Sequence, residues 1–264
     1  MITRSSKLGH ICFVGAGPGD PELLTLRAAD RLRTADLILR DILVPDELIA
    51  ATGARAQVVN VGRLCGGEET QEARLARIHA WLIEGYREGR RIVRLKSGDP
   101  FIFGRAVEEL QRLIEADIPF ECVPGITAGI AAANLAQIPL TERYTSPSVL
   151  FCTGQTAGGG TDRIEAWASL LRGGTTLVLY MGLKALAHIA PRLQSAVPAD
   201  EIHVSAISQV SAPGQLVVHA PLSRVEATLS ERPLPLPVVF ILGLHAQPLA
   251  ERLAQPLAPC ANHE

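Results

Sequence analysis

The sequence predicts an α/β protein built as two α/β domains with mostly parallel and mixed sheets. Three observations carry that prediction. Short runs rich in β-branched residues alternate with longer segments whose apolar residues fall at helical spacing. Several runs stop at a glycine, as chains do where a strand turns sharply. The alternation is interrupted once, between residues 125 and 145, where a small-residue helix gives way to a polar, proline-marked stretch. With 264 residues the chain can form one large domain or two compact ones, each with its own core.

In chain order, the first half reads as strand "HICFVGAG", helix "LLTLRAADRLRTA", strands "ADLILRD" and "AQVVNVG", and helix "ETQEARLARIHAWLIEGYREG". Strand "RIVRLKSG", helix "AVEELQRLIEAD" and strand "PFECVPG" follow. Helices between strands favour parallel pairing, because a parallel partner is reached only through a crossover. The stretch "IAAANLAQIPLTERYTSPS" marks a domain junction within 125–145, giving an N-terminal domain 1–138 and a C-terminal domain 139–264. The second half carries "SVLFCTG", "TLVLYMG", "HVSAIS", "QLVVHAP" and "PVVFILG". Its hairpin-like strands and the prolines of "RPLPLPVV" point to a mixed sheet. "TAGGGTDR" (156–163) is expected to be a flexible loop, and the tail after Gln247 poorly ordered.

Composition excludes several classes. The chain is 47% hydrophobic and 20% charged with a net charge of −2, so no global basic field exists to hold nucleic acid or an anionic membrane. An anionic substrate must be met by locally grouped Arg and Lys. The five cysteines (Cys12, Cys65, Cys122, Cys152, Cys260) are scattered without a CxxC pair. That pattern favours reduced thiols in a cytoplasmic protein over a disulfide framework, and no metal site is expected. No stretch reaches the roughly 20 apolar residues of a membrane span, and the N-terminus lacks the apolar core of a signal peptide.

Four turns carry candidate chemistry. "GAGPGD" follows the first strand, but its glycines fall at 15, 17 and 19, and Asp20 stands where a dinucleotide fingerprint needs its third glycine. Pro18 also removes a backbone donor, so the turn suits a neutral or cationic ligand better than a pyrophosphate. In "KSGDPFIFGR", Gly98 lets backbone approach a ligand at a strand end, and Asp99 is expected to cap a helix starting at Pro100. "VPGITAG" (123–129) repeats the layout, and "LVLYMGL" puts Met181 just past an apolar strand.

Together, "VGAGPGDPELLTLRAADRLRTAD", "RLKSGDPFIFGRAVEEL", "VPGITAGIAAANLAQIPLTER" and "LVLYMGL" resemble, in order and spacing, the tetrapyrrole methylase family, over about residues 10–245. The resemblance implies a homodimer of two-domain subunits, with S-adenosylmethionine in the cleft between the domains and a tetrapyrrole in an adjoining trough. It implies C-methylation of uroporphyrinogen III at C2 and C7 to give precorrin-2. It assigns cofactor contacts to Pro18, Ser97, Gly98, Asp99, Ile102, Thr127, Ala128 and Met181, and to Val210 in a later segment. It assigns chemistry to Asp41, Arg63, Arg105 and Glu108, and substrate carboxylates to Arg40, Arg105 and Arg143, whose planar forks suit them.

The chain also departs from the family's pattern. Arg40-Asp41 replaces Tyr-Asp, Arg63 replaces Lys, Ala106-Val107 replaces Gly-Gly, Glu142 replaces His, and Ser208-Gln209-Val210 replaces Glu-Asn-Gly. Arg63 keeps the charge but is a poor proton donor, because guanidinium does not deprotonate in proteins. The competing readings are a paralogue methylating another precorrin, a non-catalytic tetrapyrrole carrier and, more distantly, a nicotinamide oxidoreductase.

Overall fold

The computed structural model describes residues 8–62, 69–155 and 162–254. The chain divides into two compact units, Met1–Thr127 and Ala128–Glu264.

The first unit is a five-stranded sheet of β1 (His10–Gly15), β2 (Leu37–Arg40), β3 (Gln57–Asn60), β4 (Arg91–Lys96) and β5 (Phe120–Val123). Their spatial order is β3-β2-β4-β1-β5 and every pairing is parallel. The connecting helices are α1 (Leu26–Thr34), α2 (Asp46–Ala51), α3 (Gln71–Arg87) and α4 (Ala106–Glu115). Thr25 and Thr70 start α1 and α3, their hydroxyls accepting the backbone N–H three residues on at 3.1 and 3.2 Å.

The alternation along each strand builds two cores. Ile11, Phe13, Leu37, Leu39 and Ile92 pack with α3 and α4 on one face; Cys12, Val14, Ile38, Val93 and Leu95 pack with α1 and α2 on the other. Each fully buried side chain of this size contributes about 1.5–3 kcal/mol.

The second unit opens with α5 (Ala128–Leu135). Its sheet holds β6 (Val149–Thr153), β7 (Thr176–Tyr180), β8 (His203–Ser208), β9 (Leu216–Pro221) and β10 (Val238–Gly243), in the order β6-β7-β10-β8-β9. β6 and β7 are parallel and the other pairs antiparallel, the mixed sheet expected from the hairpin-like strands and prolines. Helices α6 (Asp162–Arg172), α7 (Leu183–Gln194) and α8 (Val225–Glu231) complete this unit's core. The small residues of α5 have a packing reason. A Cβ on Gly129 would stand 2.5 Å from both Tyr180 and Val178, and the Gly129 N–H donates to the Tyr180 hydroxyl at 2.7 Å.

Two expectations need correction. Asp99 caps no helix at Pro100, because α4 starts only at Ala106, after Arg105 in a left-handed conformation (φ 57°). The tail after Gln247 is not irregular throughout: Leu249–Leu253 form α9, where Arg252 forms an ion pair with Glu142. Residues 156–161 of the expected flexible loop, and those after 254, lie outside the described residues.

Candidate active site at the strand ends of the first unit

β1 and β4 are neighbours, but the helices that follow them pack on opposite faces of the sheet. Their loops therefore part at the carboxyl ends of the strands, where open parallel sheets take ligands. Here the glycine turns meet. The Gly17 N–H donates to the Gly98 carbonyl at 3.1 Å and the Gly98 N–H to the Gly17 carbonyl at 2.8 Å, both glycines at positive φ (69° and 67°). The turn after β5 closes on the same point. A Cβ on Gly125 would lie 2.2 Å from the Gly98 carbonyl oxygen, and one on Gly15 2.4 Å from the Gly125 nitrogen. Asp99 ties the turns together: one carboxylate oxygen accepts the Phe101 N–H at 2.8 Å, the other the Gly125 N–H at 3.2 Å.

Pro18, Ser97, Gly98 and Asp99 are thus brought together, with Ile102 in the same loop and Thr127 two residues beyond Gly125. Ala128, Met181 and Val210 belong to the second unit. Met181 follows β7 and Val210 follows β8, both at the sheet end where β10 begins. Met181 is 46% exposed, whereas Val210 is buried. Phe103, Arg105, Met181, Gln209 and Ser211, all in these loops, are non-glycine residues at positive φ. Such strain persists where surrounding structure holds it, and it clusters at ligand sites.

Beside the turns lies a buried ionic quartet. Asp41 follows β2, Arg94 and Lys96 stand on one face of β4, and Glu109 reaches in from α4. Arg94 Nε and NH2 grip Glu109 at 2.6 and 2.9 Å, and NH2 also donates to Asp41 at 2.5 Å. NH1 donates to the carbonyls of Leu39 and Leu95 at 3.2 and 3.0 Å, which uses every N–H of the guanidinium. Lys96 Nζ lies 2.8 Å from Glu109 and 3.7 Å from Asp41. Burial pushes the Asp41 carboxyl up, but Arg94 and Lys96 outweigh it and hold it below the usual carboxylate range. Glu109 is held down against burial by the same two cations. Burial and the neighbouring Arg94 push Lys96 down, against the pull of the two carboxylates.

The other expected residues are more scattered. Arg105 forks onto Glu108 at 2.8 Å for both bonds, on the surface. Gln71, with its amide oxygen toward the donors around it, accepts from Arg105 and from the buried Arg74 at 3.1 Å each. Arg40 donates to the Val44 carbonyl and pairs with Asp46 at 2.9 Å. Arg143 belongs to the second unit, where it is exposed and lies 5.7 Å from the centre of the Tyr144 ring. Arg63 lies outside the described residues.

Sequence reading missed Arg94, Lys96 and Glu109. A signal existed: "RIVRLK" puts two cations on one face of what the pattern makes a central strand. Charges buried there require carboxylate partners.

A family model for Tetrapyrrole (Corrin/Porphyrin) Methylases matches residues 10–226. The chain is 42% identical to a uroporphyrinogen-III C-methyltransferase of Paracoccus denitrificans over 256 residues, covering 97% of this chain and 87% of that one. It is 40% identical to a siroheme synthase of Neisseria meningitidis serogroup B over 239 residues, covering 90% of this chain but spanning only 48% of that longer protein. The crystal structure of a uroporphyrin-III C-methyltransferase from Thermus thermophilus, complexed with S-adenyl homocysteine, superposes with a TM-score of 0.73 at 34% identity, covering 89% of this chain and 97% of that one. With its strand-end turns and most of its length matched, the chain belongs to the tetrapyrrole (corrin/porphyrin) methylases.

Proposed function

We propose that this chain is an S-adenosylmethionine-dependent methyltransferase that methylates uroporphyrinogen III at C2 and C7, giving precorrin-2. The observation that carries the reading is the match to the Paracoccus methyltransferase along most of both chains. The relative crystallised with S-adenyl homocysteine supports the choice of cofactor.

S-adenosylmethionine supplies an electrophilic methyl group on a sulfonium centre. The residues present fit such a ligand. Three turns, each with a glycine at the point of approach, offer backbone edges to an uncharged nucleoside, and the Asp99 carboxylate suits a cationic neighbour. Pro18, Ser97, Gly98, Asp99, Ile102 and Thr127 are the proposed contacts in the first unit, and Ala128, Met181 and Val210 those in the second.

In this reading Asp41, kept ionised by Arg94 and Lys96, takes the proton that the cationic macrocycle gives up, from a position other than the now quaternary ring carbon, once the methyl has been added. Arg40, Arg105 and Arg143 bind carboxylates of the macrocycle, and Glu108 holds the Arg105 fork in place until a substrate carboxylate takes it over. Arg63 contributes positive charge rather than a proton. Apolar side chains exposed after neighbouring strands (Ile42 and Leu43 after β2, Phe101, Phe103 and Val107 after β4) give the macrocycle faces to lie on. Holding the reacting atoms within about 3–3.5 Å accounts for much of the rate.

Anaerobic incubation with S-adenosylmethionine and enzymatically made uroporphyrinogen III tests the proposal. S-adenosylhomocysteine should form only when the tetrapyrrole is present, and slowly with Asp41→Asn. No tetrapyrrole-dependent release from the wild type refutes it. We also propose a cytoplasmic homodimer, supported by the family resemblance and the free thiols of Cys12, Cys122 and Cys152; sedimentation as a monomer at micromolar concentration would contradict the dimer.

A further inference from the structure

The ionic quartet is graded in access. The Arg94, Glu109 and Lys96 side chains are 0%, 1% and 3% exposed, whereas Asp41 is 22% exposed. Only Asp41 can meet a substrate; the other three act through it. Glu109 is also the one member on a helix, and it makes three of the four side-chain hydrogen bonds within the quartet.

We propose that Glu109 is a positioning residue for methyl transfer: it grips Arg94 through two bonds and Lys96 through a third, fixing both cations behind Asp41 and balancing the charge that Asp41 alone would leave uncompensated. The proposal rests on the reading of Asp41 as proton acceptor. With Glu109 in place, two cations face two carboxylates, and Asp41 is an ionised but usable base. Without it, two cations bear on a single carboxylate and Asp41 binds a proton more weakly.

Among the described residues, the surroundings supply no substitute. Toward Asp41, β4 presents Arg94, Lys96 and the Ser97 N–H, and β2 presents Arg40, whose guanidinium is engaged by Val44 and Asp46. From α3, His79 reaches only the Glu109 backbone carbonyl, at 3.2 Å. A glutamine at 109 keeps the shape but turns an amide N–H₂ toward Arg94 or Lys96, donor against donor.

The test is a pH titration of the Asp41 carboxyl by ¹³C NMR in full-length enzyme labelled at aspartate, with the signal assigned through Asp41→Asn. Glu109→Gln should move the Asp41 midpoint down by about one pH unit, a tenfold loss of proton affinity. Lys96→Met should move it up. The double variant Lys96→Met/Glu109→Gln, with one cation facing one carboxylate, should return it toward wild type. The acid limb of the kcat–pH profile should follow the same order. A Glu109 that merely packs α4 would lower the melting temperature of Glu109→Gln and leave the titration unmoved, which overturns the proposal. Should Glu109→Gln not fold, Lys96→Met/Glu109→Gln compared with Lys96→Met decides: a lower Asp41 midpoint in the double variant supports the proposal and equal midpoints overturn it. Absence of methylated product from the wild type would instead refute the functional reading, whatever the titration shows.

Discussion

Replacing Gly125 by alanine probes the convergence of the three turns. The new methyl would stand 2.2 Å from the Gly98 carbonyl and 2.7 Å from the Gly15 carbonyl carbon, so backbone rather than a side-chain tip must retreat by about 1 Å. Overpacking of this kind costs about 1–3 kcal/mol. The retreat also weakens the Gly125 N–H bond to the Asp99 carboxylate, a charged bond worth about 1.5–3 kcal/mol. Against this, alanine restricts the unfolded chain and returns about 0.4–1 kcal/mol. The losses win, and the first unit should be destabilised by about 2–4 kcal/mol. Trp81 lies in the first unit and Trp167 in the second, so urea unfolding of a Trp167→Phe background reads the first unit by fluorescence. Calorimetry with S-adenosylhomocysteine should show affinity falling at least tenfold. A variant with an unchanged urea midpoint and unchanged affinity would refute the packing of these turns as the basis of the site.

Further outcomes follow from the charges. Arg94→Met removes the cation shared by Asp41 and Glu109, leaving two carboxylates facing Lys96 alone, and should cost about 3–5 kcal/mol, read by the same urea assay. Arg105→Ala breaks an exposed pair and should change stability by less than about 0.5 kcal/mol; it should raise KM for the tetrapyrrole roughly tenfold or more, since a bond between charged groups is worth about 1.5–3 kcal/mol. The pH response should differ between the units. Asp41 and Glu109 titrate below their unfolded values, so the stability they contribute is full above about pH 4.5 and is lost as pH falls through their folded values. His203 and His245 are pushed down chiefly by burial, so the unfolded chain takes up their protons first. Their unit should begin losing stability as pH falls below about 6.5. Melts between pH 4 and 8 check this: a Trp167 transition as acid-resistant as that of Trp81 contradicts it.

Strand periodicity and glycine stops were enough to read the architecture, because β-branched runs such as "RIVRLKSG" and "TLVLYMG" have few alternatives in a chain of this composition. The convergence of Gly15, Gly98 and Gly125 was readable only as three similar turns; that they touch follows from the order β4-β1-β5, which no local pattern encodes. Asp99 was misplaced for a related reason. An Asp-Pro step looks like a helix start, but the carboxylate is drawn off by the Gly125 N–H from a turn 26 residues away. Arg94 and Lys96 were passed over because their partners sit just past β2 and on α4, beyond the reach of any spacing rule. Arg105 and Glu108, three apart at the start of α4, were legible as a pair.

The central claim is transfer of a methyl group to a tetrapyrrole carbon. Mass spectrometry after incubation with uroporphyrinogen III and S-adenosylmethionine carrying a trideuterated methyl tests it most directly. The account predicts a macrocycle bearing two intact trideuterated methyls. An unlabelled macrocycle recovered from protein that binds S-adenosylhomocysteine would contradict it.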